Sequence, residues 1–458
     1  MNEKSPNLTA EQIDDVAKEL LPAAALKELL DQTKSGTPKP TVANFVKILK
    51  EDLHLAGAIR LNELTERIDI VKNLGWKRND TEFNDTDTAF LTLYIEKNYE
   101  LNCKRSLEQA IQIVSSENSY HPIRNLLNGL RWDGIPRVEN ILTHFLGVEK
   151  TELSVEAIKL FMLGAVSRVF HPGRKFEISI CIVGEQGAGK STFLKFLAMR
   201  DEFFTDDLKK LADEKVVVKL LGHWIIEIPE MVAFFNTRTI EEIKAFISRE
   251  KDTYRTPYDK YPRDRKRQCV FAGTSNKLEI LPMDISGNRR IIPIETNMEK
   301  AEVHIMDNEE ESRAYILQAW AEIMEIFRSG NFSLTLPNHL TEELKKYQQR
   351  FTPEDTDEET IAAFLEKTDE PLVCVAMLAY EALGYSQYDR LKKSDSNSIS
   401  EIMHHMPGWE YVGTRAVGKY GKARAWRKNT PPTTDPAAQT KDGFVSIHKQ
   451  MTIPFDQV

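Results

Sequence analysis

Apolar residues recur at helical spacing through the first third of the chain. Ile13, Val16, Leu20 and Leu21 predict helix over 9–33, with Thr9 and Gln12 placed as a capping box. FVKILKEDL and TAFLTLYIEKNYEL repeat the helical period within residues 42–118, which follow a KSGTPKPT linker at 34–41. From residue 121, HPIRNLLNGLRWDGIPRVENILTHFLG is apolar helix broken at DG and IP. Residues 154–170 predict a further helix that stops at HPG.

At 176 the pattern changes. FEISICIV predicts a strand, GEQGAG a glycine-rich loop and KSTFLKFLA a helix. The apolar runs VVVKLL, HWIIEI, QCVFAGT and RRIIPIE predict further strands, separated by helical or polar stretches. Strands alternating with helices predict an α/β core with a largely parallel sheet over 175–300. Residues 310–328 predict a long amphipathic helix, and TPEDTDEE (352–359) is acidic and solvated. Beyond it, helices at 372–383 and 397–406 and a hairpin of WEYV with ARAWRK predict a small α+β module. The expected organisation is an N-terminal helix and linker (1–41), a helical domain (42–118), a helical lead-in (119–174), the α/β core (175–300), a helical extension (301–351), the α+β module (352–428) and a flexible tail (429–458).

Composition narrows the class. The chain has 458 residues, enough for several domains, and 29% of them are charged. Four Cys, none in a CxxC pair, argue against a zinc site or a disulfide framework and suit a reducing cytosol. The polar start, MNEKSPNLTAEQIDD, is no signal peptide, and LFMLGAVSRVF is too short to span a bilayer and carries Arg168. Cytoplasmic placement without a membrane partner is therefore expected. A net charge of −9 argues against a basic coat for nucleic acid, though a local patch would suffice for DNA. His121 and His171 precede Pro at helix boundaries and read as structural, and Trp132 and Trp224 read as core.

GEQGAGKS (184–191) completes the phosphate-loop pattern G-x-x-x-x-G-K-[ST] between a strand and a helix. Gly184, Gly187, Ala188, Gly189, Lys190, Ser191 and Thr192 are the expected nucleotide contacts. Backbone N–H groups would face phosphate oxygens, Lys190 would reach the β- and γ-phosphates, and Ser191 would ligate Mg²⁺. ATP and Mg²⁺ are the expected cofactors. NKLE at 276–279 lacks the Asp of a guanine-reading motif. A hydrolase further needs one carboxylate at the metal and one at the water. GHWIIEIPEM (222–231) supplies Glu227, expected at the Mg²⁺, and Glu230, expected to orient the water, on a strand end that taken alone is equally a pair of solvated glutamates. CVFAGTSN delivers Asn276 to the sheet edge, and SGNRR offers Arg289 and Arg290 for phosphoryl charge.

That order of motifs resembles the virulence-associated protein E family of phage and mobile-element replication proteins, which look like superfamily 3 helicases with a ring-forming AAA+ core. The residues carrying the resemblance are HPIRNLLNGLRWDGIPR, PGRKFE before GEQGAGKS, GHWIIEIPEM, IKAFISREKDTYRTPY, RQCVFAGTSN and LPMDISGNRR, dense over 120–295. The resemblance implies ATP-dependent DNA unwinding at a replication origin by a hexamer-like ring, with Arg289 or Arg290 as a finger into the neighbouring subunit's site. No primase domain of the archaeal-eukaryotic type precedes the core, and no origin-binding signature is apparent, so a separate primase or origin-binding partner is expected. REKDTYRTPYDKYPRDRKR (249–267) carries eight basic residues against four acidic, interleaved with tyrosines. Alone it is a solvated loop; by resemblance it is a DNA-gripping hairpin, with Lys251, Arg255 and Lys260 as contacts. TRAVGKYGKARAWRK (414–428) has six basic residues and no acid, and resembles a winged-helix wing. Two alternatives stand beside the helicase: a P-loop ATPase or kinase without unwinding activity, and a non-catalytic DNA-binding regulator.

Overall fold

The computed structural model describes residues 20–208, 216–231, 240–255, 262–281, 290–352, 356–386 and 391–429. The chain divides into two compact units, 1–353 and 354–458.

The first unit opens with a small α+β layer. Helices α1 (Ala23–Glu28), α2 (Val42–Glu51), α3 (Asp85–Tyr99) and α4 (Lys104–Glu117) enclose a core of their own, which includes Phe45, Leu91 and Tyr99. Asn84 and Asp87 close a capping box at the start of α3. The helical reading of 42–118 missed one element, the hairpin β1 (Ile59–Asn62) with β2 (Arg67–Ile70). Its antiparallel register pairs Ile59 with Ile70 and Leu61 with Ile68. That period of two is only four residues long on each strand, too short to stand out against flanking helices. In the predicted 9–33 helix, helix occupies only Ala23–Glu28 of the described residues, behind Pro22; Thr9 and Gln12 lie outside them.

Helices α5 (Pro122–Gly129), α6 (Ile141–Leu146) and α7 (Glu152–Phe170) lead into the sheet. α7 is buried on nearly all sides, from Leu153 to Val169, as expected of a helix without a polar face. The sheet is five-stranded and parallel throughout, in the order β4 (Phe204–Thr205), β5 (Ile225–Ile228), β8 (Val270–Ser275), β3 (Ser179–Val183), β9 (Ile291–Glu295). The antiparallel ribbon β6 (Lys251–Tyr254) with β7 (Arg263–Lys266) forms a separate sheet. α8 (Lys190–Leu197), α9 (Val216–Leu220), α10 (Ile240–Ser248), α11 (Glu309–Ser329) and α12 (Asn338–Gln349) complete the layers. Trp224 and Trp320 pack at 4.6 Å in the core, their indole N–H groups donating to the carbonyls of Ala165 and Leu197.

Two expectations fail here. VVVKLL is helix α9, not a strand. Val216 and Leu220 are its buried positions, four apart, and a short apolar run does not by itself distinguish helix from strand. Trp132 is 37% exposed, its indole donating to the Ile135 carbonyl in the turn broken by DG and IP.

In the second unit, α13 (Thr356–Lys367), a short helical segment over 375–382 and α14 (Lys393–His405) surround a three-stranded sheet. Its order is β10 (Leu372–Cys374), β12 (Lys422–Lys428), β11 (Trp409–Ala416). The predicted hairpin is β11 with β12. The predicted helix at 372–383 begins as a strand, because Leu372–Cys374 pair with β12. No helix of the described residues is long and apolar enough to cross a membrane.

Candidate nucleotide site and basic ribbon

The phosphate loop joins the middle of the sheet to α8. β3 ends at Val183, in register with Ser275 of β8 and Glu295 of β9, so the loop rises between two strands. Gly184 passes so close to Thr296 that an added Cβ would stand 1.9 Å from its hydroxyl. Gly189, the residue before α8, has φ +74 and no room for a Cβ against Ile305. Only glycine meets both demands. With Ala188 buried beneath, the N-terminal turn of α8 carries Lys190, Ser191 and Thr192 to the C-terminal edge of the sheet.

Three sequence-distant side chains meet there. The Lys190 ammonium donates to the carbonyls of Gly184 and Glu185, both at 2.7 Å, and to Asn276 Oδ1 at 2.9 Å. Asn276 Nδ2 in turn donates to Glu230 Oε1 at 2.9 Å. Lysine only donates and carboxylate only accepts, so the amide's orientation is determined by its two neighbours. Pro229 and Glu230, with φ +47, turn the chain at the end of β5 and bring Glu230 to Asn276.

Glu227 is different. It lies within β5, is 1% exposed, and its Oε1 accepts from Ser191 Oγ at 2.7 Å and Thr274 Oγ1 at 2.5 Å. Burial pushes its carboxyl above the ordinary pKa, with the Thr274 and Ser191 hydrogen bonds pulling against the rise. Burial likewise lowers the Lys190 pKa, opposed by Glu230 and Glu227. Glu227 Oε2 is buried without a hydrogen-bond partner. An orphan carboxylate oxygen beside a serine hydroxyl is a donor set that fits a small hard cation such as Mg²⁺.

Two residues of this site escaped the sequence reading. Thr274 had a faint signal, two residues before Asn276 on a strand ending in hydroxyls. His304 had none: it reaches the loop from a segment after β9, its Nε2 3.3 Å from the Gly187 carbonyl. Met306 N–H donates to His304 Nδ1, which leaves Nε2 as the nitrogen carrying hydrogen toward Gly187. A cavity of about 730 Å³ opens beside the loop, lined by Gly184, Glu185, Asn276, Glu295, Thr296 and Lys300, within the size range of nucleotide-sized ligands.

Arg290 lies elsewhere. It precedes β9 at the opposite edge of the sheet, 3.5 Å from Glu177, because Ile291 pairs with Ser179 at the start of β3. The length of β9 puts roughly 15 Å between it and its own phosphate loop. Arg289 lies outside the described residues.

The ribbon β6–β7 has two faces. Lys251, Thr253, Asp264 and Lys266 face water, while Asp252 and Arg265 are buried. Lys251 is paired with Asp264 at 2.5 Å, and Arg255 is exposed directly after β6; Lys260 lies outside the described residues. Of the eight basic residues counted in 249–267, Arg265 and Arg267 are therefore turned inward. Arg267 grips Asp252 through two hydrogen bonds of 2.6 and 2.9 Å, and Arg265 pairs with Glu66 of the β1–β2 turn. Beneath them Arg168 of α7, 1% exposed, donates to four carbonyls, those of Arg174, Phe176, Arg249 and Cys269. Burial lowers its pKa to about 10, so it remains a cation at neutral pH.

Residues 127–353 match the model of the virulence-associated protein E-like domain. Solved structures that resemble the chain include three with coverage of 81% of this chain and 96% of the other. One is the A form apo structure of the NrS-1 C-terminal region, 305–718, at 15% identity and TM-score 0.44. A second is the apo structure of the same region, at 14% and 0.43. A further A form apo structure of that region stands at 13% and 0.47. No curated protein matches the chain.

Proposed function

Because residues 127–353 are a virulence-associated protein E-like domain, we propose that the protein is a replication ATPase of a phage or mobile element that couples ATP hydrolysis to DNA unwinding in a ring, a hexamer by resemblance. The observation that carries the ATPase reading is the pair of contact chains at one sheet edge, Ser191 to Glu227 and Lys190 through Asn276 to Glu230.

In this reading the loop from Gly184 to Gly189 cradles the phosphates with backbone N–H groups, and Thr192 follows them onto the helix end. Lys190, held now by Gly184, Glu185 and Asn276, exchanges those acceptors for phosphate oxygens. Ser191 and Glu227 would hold Mg²⁺, which when bound supplies positive charge against the phosphates. Glu230, exposed and outside the buried pocket of Glu227, orients the attacking water and receives its proton. Asn276 lies between Lys190 and Glu230, so it senses the phosphate end and the water position together. Arg290 faces away from its own loop and acts on a neighbour's, which is why the active form is an oligomer. Lys251 and Arg255 meet DNA phosphates on the exposed face of the β6–β7 ribbon.

Steady-state phosphate release with and without single-stranded DNA tests this. Lys190→Ala is expected to lower turnover by roughly 10²–10³-fold or more. Glu230→Gln should lose about 10²–10⁴-fold in turnover while still binding ATP, whereas Glu227→Gln should also lose the response to Mg²⁺. DNA-independent turnover with phosphate passed to a small acceptor would sink the helicase reading.

A further inference from the structure

We propose that one face of the β11–β12 ribbon in the second unit is a binding surface for single-stranded nucleic acid, independent of the nucleotide site and of the β6–β7 ribbon. The face follows from strand alternation. Lys422, Arg424, Trp426 and Lys428 lie two apart on β12 and share one side. Directly opposite stand Ala416, Thr414, Tyr411 and Trp409 of β11, in that order. Small side chains face Lys422 and Arg424, so both cations stand clear of their neighbours, and both are exposed, as is Lys428.

An aromatic platform adjoins these cations. Tyr411 is 44% exposed while Trp426, across from it, is fully buried. His404 of α14, itself exposed, stands edge-on to both rings at 5.4 and 5.5 Å. A tyrosine half open to water and backed by a buried indole 5.4 Å away offers a base somewhere to stack, and the flanking cations meet its phosphates. A duplex keeps its bases stacked on each other, so this platform selects a single strand.

The ribbon is also held in place. Lys419 pairs with Glu381 at 3.0 Å, and Tyr420 OH donates to the same carboxylate at 2.6 Å, which ties the ribbon's tip to the helical segment 375–382. Lys419, although exposed, is occupied in anchoring the tip, so the proposed contacts are Lys422, Arg424 and Lys428. A bulge between Tyr411 and Thr414, with Gly413 at φ +76, bends β11 beside the platform. Charge is segregated along the unit. Residues 391–429 hold eight Lys/Arg against three Asp/Glu, whereas 356–386 hold seven Asp/Glu against a single Lys. A near-neutral module thus keeps one basic pole.

Fluorescence anisotropy of the full-length chain with labelled oligothymidylate, without nucleotide and over a salt series, tests the proposal. Lys422→Gln with Arg424→Gln is expected to weaken binding and to reduce the slope of log K against log salt by roughly 1.4, two lost phosphate contacts at about 0.7 each. Tyr411→Ala should weaken binding roughly tenfold at unchanged slope, and Tyr411→Phe should restore it. The same decrements are expected in a Lys251→Glu, Arg255→Glu background and in Lys190→Ala, so loss of the ATPase reading would leave this one standing. Unchanged affinity and slope in the Lys422, Arg424 variant would overturn it, as would tighter binding of a duplex of equal length.

Discussion

Glu227 and Glu230 share a strand end, and burial separates them. Glu227 points into the core against two hydroxyls, and Glu230 lies beyond a proline turn in water. Sequence placed both carboxylates near the loop. It had no means of ranking their burial, because three residues across a turn can face any direction. His121 shows the same limit. It was legible as structural from its place before Pro122, and it caps α5 by accepting from the Arg124 N–H. Its other nitrogen meets Gln268 Oε1 at 2.7 Å, a partner 147 positions away. Burial pushes its pKa down to about 4, so the folded protein resists protonating it. The stabilisation is then complete above the ordinary histidine pKa and is lost as pH falls from there to about 4. At most about 3 kcal/mol is involved. Urea unfolding between pH 7 and 4 should show this loss, and His121→Gln should flatten it; an unchanged profile would refute the assignment.

At the scale of elements, strands bounded by clear turn signals were readable: β3, β5, β8 and β9 all fall on predicted apolar runs. α9 and the β1–β2 hairpin were not, since short apolar runs take the conformation their neighbours require. The β6–β7 ribbon adds a lesson about charge. Its basic count suggested one exposed patch, yet alternation turns Arg265 inward, and Arg267 at the ribbon's root locks onto Asp252. That pair, with Arg168 below it, sets how the ribbon leaves the sheet. Asp252→Asn would strand a buried guanidinium, at a cost of about 3–5 kcal/mol. Chemical denaturation should detect it, and DNA-stimulated turnover should fall more than basal turnover. A stability change within about 0.5 kcal/mol would mean the pair does not anchor the ribbon.

For the molecule as a whole, strand order decides which groups can meet. Insertion of β8 between β5 and β3 puts Thr274 and Asn276 between the two glutamates and the loop. The parallel register of β9 with β3, Ile291 against Ser179, leaves Arg290 at the far edge. If Arg290 serves a neighbouring subunit, Arg290→Ala chains mixed into wild-type protein should depress turnover more steeply than their fraction. Strictly proportional loss would instead mean that sites do not share residues.

The sequence alone determined the phosphate loop, the strand–loop–helix context around it and the family likeness, because these depend on neighbours in the chain and on glycine's local freedom. The tertiary structure decided which glutamate is buried, that Asn276 bridges Lys190 and Glu230, that His304 reaches the loop, and which cations of each ribbon face water. Those outcomes rest on strand order and packing between segments tens of residues apart, and no local pattern encodes them.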